Sequence, residues 1–457
     1  MASSKAAAIS ALVDEHRPDL APLEELYRYY HAHPELSNRE QATAAHIADQ
    51  LRRISPDFVI KTGIGGHGLA AILDNNNNNN TSSGTAGGGG GSGKTVLLRA
   101  DIDALPVLEK TGLAYASTQR MQAALHPGAE PSGDEKPVMH ACGHDMHITT
   151  LLGAAALLVS CRDHWKGSTL VLAFQPAEER GTGAQAMVDD GLYAPTGRHG
   201  VPVPDVVLGA HVVARRAGSV GTRRGLIATS ADSLRLTLHG RGAHASMPHR
   251  SVDPVVMAAS TIMRLQTIVS REVDSAEGGT VVTVASVHAG DAENIIADRA
   301  DLAIDVRATS QRTRDRVLGR VKAIVKAESE ASMATREPEW LTTRAFPLTI
   351  NDAGVTGELE ETFARHFGEG KGQYDRDVAR FAASEDFSIL ASAVGRPYSF
   401  FMYGATDPEL WDKAEAEGTI DETIPGNHSA YFAPVISPTL KAGLDGYAAG
   451  ALTFLMA

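Results

Sequence analysis

Three apolar segments of the chain each end in side chains that can ionise or bind a metal, and this repeated arrangement constrains the fold more than any other feature. The segments cover residues 95–99, 170–175 and 206–209, and the polar residues that follow them are Asp101 and Asp103, the pair Glu178-Glu179, and His211. Near-continuous apolar runs are typical of strands buried on both faces of a sheet. In open α/β sheets, ligands bind outside the carboxyl ends of the strands. The chain is therefore predicted to form an α/β fold with a polar site at one edge of its sheet.

Charge and hydropathy exclude two classes of partner. The 457 residues carry a formal net charge of −13 without a block of Lys and Arg, so we expect no nucleic acid, because phosphate binding needs a basic face. No apolar run approaches the ~18 residues of a membrane span, so we expect no membrane. Two cysteines cannot form a disulfide framework, and the N-terminus favours an amphipathic helix over a signal peptide. A cytoplasmic protein is the resulting expectation.

A low-complexity segment separates two strand-like runs. Residues 75–93 begin with six Asn and end in a Gly-rich tract, and we predict a disordered loop because this composition cannot bury enough apolar surface to order itself. The stretch GGGGSGKT at 88–95 matches the pattern of a phosphate-binding loop. That loop must open a helix, whereas a strand-like run follows here, so a nucleotide site is not predicted.

The segment MHACGHDMH at residues 139–147 adds sulfur and imidazole ligands. Cys142 and His144 are two positions apart, so in an extended or loop conformation both side chains can converge on one site. An isolated Cys is more often a small buried apolar residue. The neighbouring His144 and Asp145, together with the carboxylates at the strand ends, favour a metal site instead.

Glu178 and Glu179 form a second informative pair. A solvent-exposed acidic turn would explain them without any function. If the pair is buried, the repulsion of adjacent like charges requires a compensating cation. A metal would supply it, with one carboxylate as a ligand and the other holding a water and taking its proton.

Seven motifs, in order along the chain, resemble those of a known enzyme family. They are YRYYHAHPELS, LRADIDALPV, HACGHDMH, QPAEE, LGAH, GRGAHASMPH and SEDFS. The chain resembles the aminoacylase, hippurate hydrolase and auxin-conjugate amidohydrolase family of dinuclear metallopeptidases. The resemblance implies metal-dependent hydrolysis of the amide bond of N-acyl amino acids, releasing a carboxylic acid and a free amino acid. A metallo-dipeptidase or carboxypeptidase is the alternative enzyme, and a non-catalytic binding protein on the same fold is the alternative outside that class.

The resemblance also implies the residues of the site. Two divalent cations, zinc or manganese ahead of cobalt or nickel, would be held by Cys142, His144, Glu179, His211 and His428. Cys142 would bridge the two metals as a thiolate. Glu178 would act first as the general base and later as the acid. Asp101 would steady a ligand histidine or a group close to the ligands.

The interval of 217 positions between His211 and His428 must contain a segment that folds back. Strand and helix patterns in the order β-α-β-β-α-β predict a ferredoxin-like α+β domain there, at residues 228–347. It would interrupt a zinc-exopeptidase-like catalytic domain of residues 1–227 and 348–457 with a mixed, largely parallel sheet. The resemblance implies that the inserted domain is a lid and the interface of a homodimer.

Three residues of the inserted domain are expected to serve the substrate, an N-acyl amino acid or a dipeptide. The resemblance implies that His244 stabilises the oxyanion, often in the site of a neighbouring subunit. Asn294 and Arg307 would hold the free carboxylate of the substrate, since the planar fork of Arg binds carboxylates bidentately. Arg307 fits a solvated strand end equally well.

Overall fold

The computed structural model describes residues 2–75, 93–124, 130–193, 198–370, 373–381 and 383–456, so the low-complexity loop predicted at 75–93 lies, apart from its two end residues, outside the described residues. The α-helices are α1 (Ala2–His16), α2 (Ala21–Ala32), α3 (Gln41–Ile54), α4 (His144–Ser160), α5 (Gly183–Asp189), α6 (Pro254–Thr267), α7 (Gln311–Ala331), α8 (Ala353–Phe367), α9 (Ile389–Ser392), α10 (Pro408–Glu417), α11 (Ile420–Thr423) and α12 (Ile436–Leu455). The strands are β1 (Val59–Ile64), β2 (Gly68–Asp74), β3 (Thr95–Asp101), β4 (Arg120–Ala123), β5 (Ser132–Pro137), β6 (Thr169–Gln175), β7 (Val206–Arg216), β8 (Val220–Gly221), β9 (Gly225–Ala228), β10 (Ser230–His239), β11 (Ala243–His244), β12 (Val281–His288), β13 (Ile295–Ile296), β14 (Arg299–Ala308), β15 (Glu339–Phe346), β16 (Thr349–Asn351), β17 (Tyr374–Asp375) and β18 (Tyr398–Thr406).

The chain folds into two compact units. The first comprises Met1–Ile227, Ile350–Ala379 and Asp386–Ala457, and the second comprises Ala228–Thr349 and Arg380–Glu385. The sequence analysis assigns the short segment 380–385 to the catalytic domain. It groups with the second unit, where Phe381 forms a parallel β-bridge with Ala228.

The first unit is built on an eight-stranded sheet with the order β1-β2-β6-β3-β7-β18-β8-β17. Its central strands β6, β3, β7 and β18 run parallel to one another, whereas β1, β2 and β6 pair antiparallel at one side. The strands β3 and β6 are almost wholly buried, as the apolar runs predict. The predicted α/β class with a mixed, largely parallel sheet is confirmed.

Helices α4 and α12 pack against each other and against the central strands. Two glycines allow this close approach. A Cβ on Gly153 would lie 2.5 Å from Cδ1 of Leu444, and a Cβ on Gly443 would lie 2.7 Å from Cγ2 of Thr150. Both helices are buried over nearly their whole length, which holds the first turn of α4 firmly beside the ends of the central strands.

A buried charge cluster joins α12 to the segment that follows α1 and to α8. The carboxylate of Asp445 accepts hydrogen bonds from Arg17 (2.7 Å), Lys441 (2.6 Å) and His366 (3.2 Å). Burial alone would raise the pKa of Asp445, but these hydrogen bonds and charges outweigh it and lower the pKa. The stabilisation is therefore present above the unfolded pKa of about 3.9 and is lost as the pH falls through the lower folded pKa.

We expect Asp445→Asn to lower the free energy of unfolding by about 3 kcal/mol at pH 7, because it removes the buried carboxylate that pairs with both Arg17 and Lys441. Urea unfolding at pH 7 and at pH 3 measures the loss, which should shrink at the acidic pH. Asp14→Asn is the matched control: Asp14 also pairs with Arg17, but its side chain is 62% exposed, and exposed pairs contribute about 0–1 kcal/mol. Equal losses in the two variants would contradict this explanation.

The second unit carries a four-stranded sheet with the order β12-β14-β10-β15. Its neighbouring strands are all antiparallel, and α6 and α7 pack on the sheet around apolar residues such as Leu236, Ile304 and Val321. The chain order β10-α6-β12-β14-α7-β15 is the predicted ferredoxin-like arrangement. Across the described parts of both units, no helix combines the length and the apolar character that spanning a membrane demands.

Candidate metal centre

The ends of the central strands bring the predicted carboxylates and one histidine together. Strand β3 ends at Asp101, and β6 is followed by a short 3-10 turn, Glu178–Arg180. The apolar run at 206–209 predicts a strand that stops before His211. Strand β7 instead continues through His211 to Arg216, because β18 pairs alongside it with Met402 opposite His211.

The next two ligand candidates lie at the start of α4: Cys142 directly precedes the capping residue Gly143, and His144 is the first residue of the helix. Gly143 caps the helix in the left-handed region with φ 87°, a conformation that favours glycine. A Cβ at this position would lie 2.4 Å from Cγ1 of Val212. Gly143 therefore allows the backbone to turn sharply and to pack against β7, so that Cys142 and His144 lie at the same site.

Two groups of three ligand atoms share the sulfur of Cys142. Within each group the atoms lie within 4.8 Å of one another, and the groups are Cys142, His144 and His211, and Cys142, Glu179 and His428. The Sγ atom of Cys142 lies 3.4 Å from Nε2 of His211 and 3.2 Å from Nε2 of His428. The structure thus brings all five predicted ligands together.

The segment that carries His428 is tied to the start of α4. The backbone N–H of His428 donates to the carbonyl of Ala141 (2.7 Å), and its φ of 71° lies in the left-handed region. The neighbouring Asn427 donates through Nδ2 to the carbonyls of Cys142 (3.0 Å) and Val212 (3.1 Å). Asn427 thus anchors the predicted ligand beside it, a function that no motif in the sequence indicates.

Hydrogen bonds orient the rings of two histidines that are candidate ligands. Nδ1 of His211 donates to the carbonyl of Val212 (2.6 Å), and Nδ1 of His144 donates to the carbonyl of Asp103 (2.8 Å). Both rings therefore direct Nε2 toward the site, and each would bind a metal through this atom in its neutral form. Burial, reinforced by the neighbouring His147, lowers the pKa of His211 and favours its neutral form.

The site attracts positive charge. Burial alone would lower the pKa of His144, but the carboxylates of Asp101, Asp103 and Glu179 outweigh it and raise the pKa to about 10. Among the described residues, Nε2 of His144 and Oε1 of Glu179 are buried without a hydrogen-bond partner, and they lie 4.0 Å apart. Buried polar atoms in this state cost about 1–3 kcal/mol each. A cation bound by both would remove that cost, and this set of S, N and O donors suits a transition metal.

The two adjacent glutamates differ in their surroundings. Oε1 of Glu179 lies 3.4 Å from Nε2 of His428 and also faces His144. Glu178 groups with His144 and Glu179, but it belongs to neither group that contains Cys142. Both side chains are buried, so the exposed acidic turn considered above does not form.

Asp103 holds the turn that carries both glutamates. Its two carboxylate oxygens accept the backbone N–H groups of Glu178 and Glu179, each at 3.1 Å, and Oδ2 also accepts the hydroxyl of Ser37 at 2.6 Å. The carbonyl of Asp103 also accepts Nδ1 of His144. Asp103 therefore supports both the turn with the two glutamates and the ring of His144. The DID motif places Asp103 at the same strand end as Asp101, but it does not reveal that Asp103 holds this turn.

Asp101 contacts His147, which lies beside the candidate ligands on α4. Its Oδ1 accepts from Nδ1 of His147 (2.5 Å), whereas its Oδ2 lies 3.6 Å from Nε2 of His144, which is too long for a hydrogen bond. Nε2 of His147 accepts the backbone N–H of Val212 at 2.8 Å. Both ring nitrogens of His147 are therefore engaged, and His147 is not a candidate ligand.

The ligand geometry can now be compared with known proteins. The sequence profile of peptidase family M20/M25/M40 matches residues 97–431. This chain belongs to that family. The membership, with the ligand groups above, makes the protein a metal-dependent amidohydrolase.

Relatives within the M20 family include enzymes of several activities. The chain is 34% identical to N-acetyl-L-cysteine deacetylase of Bacillus subtilis over 91% of this chain and 88% of that protein. It is 31% identical to thermostable carboxypeptidase 2 of Saccharolobus solfataricus (76% and 80% covered) and 32% identical to hippurate hydrolase of Campylobacter jejuni (82% and 87% covered). The fold matches that of a dinuclear metal-binding M20 peptidase from Bacillus subtilis with a TM-score of 0.67 and 24% identity, covering 94% and 97% of the two chains.

In the second unit of this M20 protein, two of the predicted substrate residues are neighbours. His244 pairs with Ile295, and the N–H of Ala245 donates to the carbonyl of Asn294 at 3.0 Å. Nδ1 of His244 accepts a hydrogen bond from the backbone N–H of Ser246 (3.1 Å) and lies 2.8 Å from the hydroxyl of the same residue. This tautomer leaves Nε2–H as an outward donor on an exposed ring.

Arg307 lies apart from that pair. It sits near the end of β14, where its Nε donates to Asp305 at 3.2 Å. Strand β14 begins at Arg299, and at roughly 3.3 Å per residue Arg307 lies about 26 Å along the strand from that point. Asn294 precedes Arg299, beyond the opposite end of the strand. Within one chain, Asn294 and Arg307 are therefore not brought together.

Proposed function

We propose that this M20 protein hydrolyses the amide bond of N-acyl amino acids with the help of two divalent cations. The observation that carries the proposal is the pair of three-residue ligand groups that share the sulfur of Cys142. One thiolate between two groups is the arrangement expected for a bridged pair of metals. The named activities of two relatives, a deacetylase and hippurate hydrolase, support an N-acyl amino acid as the substrate.

The five ligands would be Cys142, His144, Glu179, His211 and His428. Zinc or manganese fits this mixture of donors first, and cobalt or nickel also fits. When bound, such cations supply Lewis-acid chemistry, since they polarise the amide carbonyl and make water more acidic. His428 has a side chain that is 54% exposed, so the substrate would enter from the face of the site that His428 borders.

Glu178 would perform the proton transfers. It lies beside His144 and Glu179 but outside both groups that contain Cys142, so we assign its carboxylate to proton transfer and not to metal binding. Glu178 would remove a proton from the attacking water and later deliver it to the nitrogen of the leaving amino acid. Positioned general acid–base groups contribute roughly 10²–10⁴-fold in rate.

The second unit would supply contacts to the substrate. His244 would donate from Nε2 to the oxyanion, consistent with the tautomer that Ser246 favours. Asn294 and Arg307 would bind the substrate carboxylate. Because these two residues lie far apart in one chain, a common contact would require residues from two subunits of a homodimer.

Two free cysteines are in keeping with a reducing compartment, and we propose that the protein acts in the cytoplasm.

A carboxypeptidase is the second candidate, and the match to thermostable carboxypeptidase 2 favours it. The two functions differ in the acyl side of the scissile bond, which is a simple acid in one case and an aminoacyl group in the other. A pocket distinguishes single methylenes by only about 1–3 kcal/mol. A direct comparison of substrates is therefore needed.

The proposal is tested with a panel of hippurate, N-acetyl amino acids, indole-acyl amino acids and dipeptides, assayed with the manganese- or zinc-loaded protein. We expect kcat/KM to be at least 10-fold higher for the best N-acyl amino acid than for any dipeptide. The reverse order would establish the carboxypeptidase alternative. Absence of hydrolysis with every compound would contradict both functions.

A further inference from the structure

A line of buried hydrogen bonds leads from Arg99 to the candidate ligand His211. Nη1 of Arg99 donates to Asp101 at 2.7 Å, and Nδ1 of His147 donates to the other oxygen of Asp101 at 2.5 Å. Nε2 of His147 then accepts the N–H of Val212 at 2.8 Å, and the carbonyl of Val212 accepts Nδ1 of His211 at 2.6 Å. Every bond in this line joins buried groups, so water does not compete for them.

Arg99 is itself held by partners from other segments. Its Nε donates to Oε1 of Gln175 at 2.8 Å, and its Nη2 lies 3.4 Å from Oδ1 of Asp386. Nε2 of Gln175 donates to the same oxygen of Asp386 at 2.6 Å, and the N–H of Ala184 donates to Oδ2 at 3.0 Å. These partners fix the orientation of the rigid guanidinium group, which also contacts Asp101.

We propose that Arg99 and His147 are positioning residues that set the geometry of the metal centre. Arg99 orients Asp101, Asp101 orients His147, and His147 holds the backbone of β7 at the residue next to His211. This inference rests on the proposed metal function. It assigns a task to the two buried side chains that the proposed reaction leaves unused, since neither supplies a ligand or transfers a proton.

Metal affinity separates positioning from simple electrostatics. Loss of the Arg99 charge makes the cavity more negative, and Coulomb attraction alone would then tighten the binding of a cation. Loss of alignment acts in the opposite direction, because removal of groups that orient metal ligands typically weakens metal binding about 10–100-fold. The sign of the change therefore identifies which effect dominates.

The test is a competition titration of the metal-free protein with Mn²⁺ and a chromogenic chelator, which requires no substrate. We expect Arg99→Gln to weaken Mn²⁺ binding at least 10-fold, and Arg99→Lys to recover part of the loss because one ammonium can still contact Asp101. Arg314→Gln is the control. It removes an arginine that pairs with Asp232 through two 2.8 Å contacts in the second unit, and we expect its Mn²⁺ affinity to equal that of the wild type.

Two substitutions of His147 keep the inference testable if Arg99→Gln does not fold. Asn at this position retains a donor toward Asp101, and Gln retains an acceptor toward Val212, so each keeps only one of the two links. We expect both His147→Asn and His147→Gln to weaken Mn²⁺ binding at least 10-fold. If the folded variants bound Mn²⁺ as tightly as the wild type or more tightly, the inference would be overturned. The proposed function would still stand in that case, because the wild type binds Mn²⁺. No Mn²⁺ binding by the wild type would overturn both.

Discussion

Replacement of Glu178 by Gln is expected to lower kcat for N-acyl amino acid hydrolysis by about 10²–10⁴-fold, the usual contribution of a positioned general base. The amide of Gln has nearly the same shape as the carboxylate but cannot accept the proton of the attacking water. The backbone of the turn is held by Asp103, so the substitution leaves the remaining residues in place. Steady-state kinetics on the best substrate of the panel gives the loss.

Metal content decides whether Glu178 is a base or a ligand. We expect Glu178→Gln to retain the wild-type metal content in elemental analysis. Glu179→Gln is the matched neighbour: its carboxylate lies 3.4 Å from His428, and we expect it to lose both metal and activity. If Glu178→Gln also lost its metal, the division of tasks between the two glutamates would be wrong.

Replacement of Cys142 by Ala is expected to produce the largest loss of metal. The sulfur belongs to both ligand groups, so its removal leaves each group with only two members. The structure predicts less than half the wild-type metal content after dialysis, and activity that falls with it. Elemental analysis and kinetics on the same preparation measure both quantities.

Cys161 provides the control for the loss of a thiol. It is buried, and burial raises its pKa to about 11, so it remains a protonated, unreactive group. Among the described residues, no candidate metal group includes it. Cys161→Ala should therefore retain full metal content. Equal metal content in Cys142→Ala and the wild type would rule out Cys142 as a ligand.

Much of this site could be predicted from the sequence because the strands of the central sheet deliver their polar residues to one edge. The apolar runs before Asp101 and Glu178 indicate buried strands, and the order of strands and helices indicates the second unit. The motif around Cys142 then supplies the remaining ligand types. Local patterns suffice in these cases, since each feature depends on neighbouring residues.

The supporting residues could not be predicted in the same way. Asp103 holds the glutamates 75 and 76 positions away, and Asn427 contacts carbonyls 285 and 215 positions away. Their partners are backbone groups, which no sequence motif identifies. The partner of Asp101 could not be identified from the sequence for the same reason. Both His144 and His147 lie on α4 near Asp101, and only the packing decides that His147 forms the hydrogen bond.

The most direct test of the whole account is the hydrolysis of hippurate by one preparation before chelation, after complete removal of metal, and after stepwise return of Mn²⁺. We predict that activity disappears with the metal and returns in proportion to bound Mn²⁺, saturating at two ions per chain. Undiminished hydrolysis by the metal-free protein would contradict the account, because no residue in the described site would then replace the chemistry assigned to the cations.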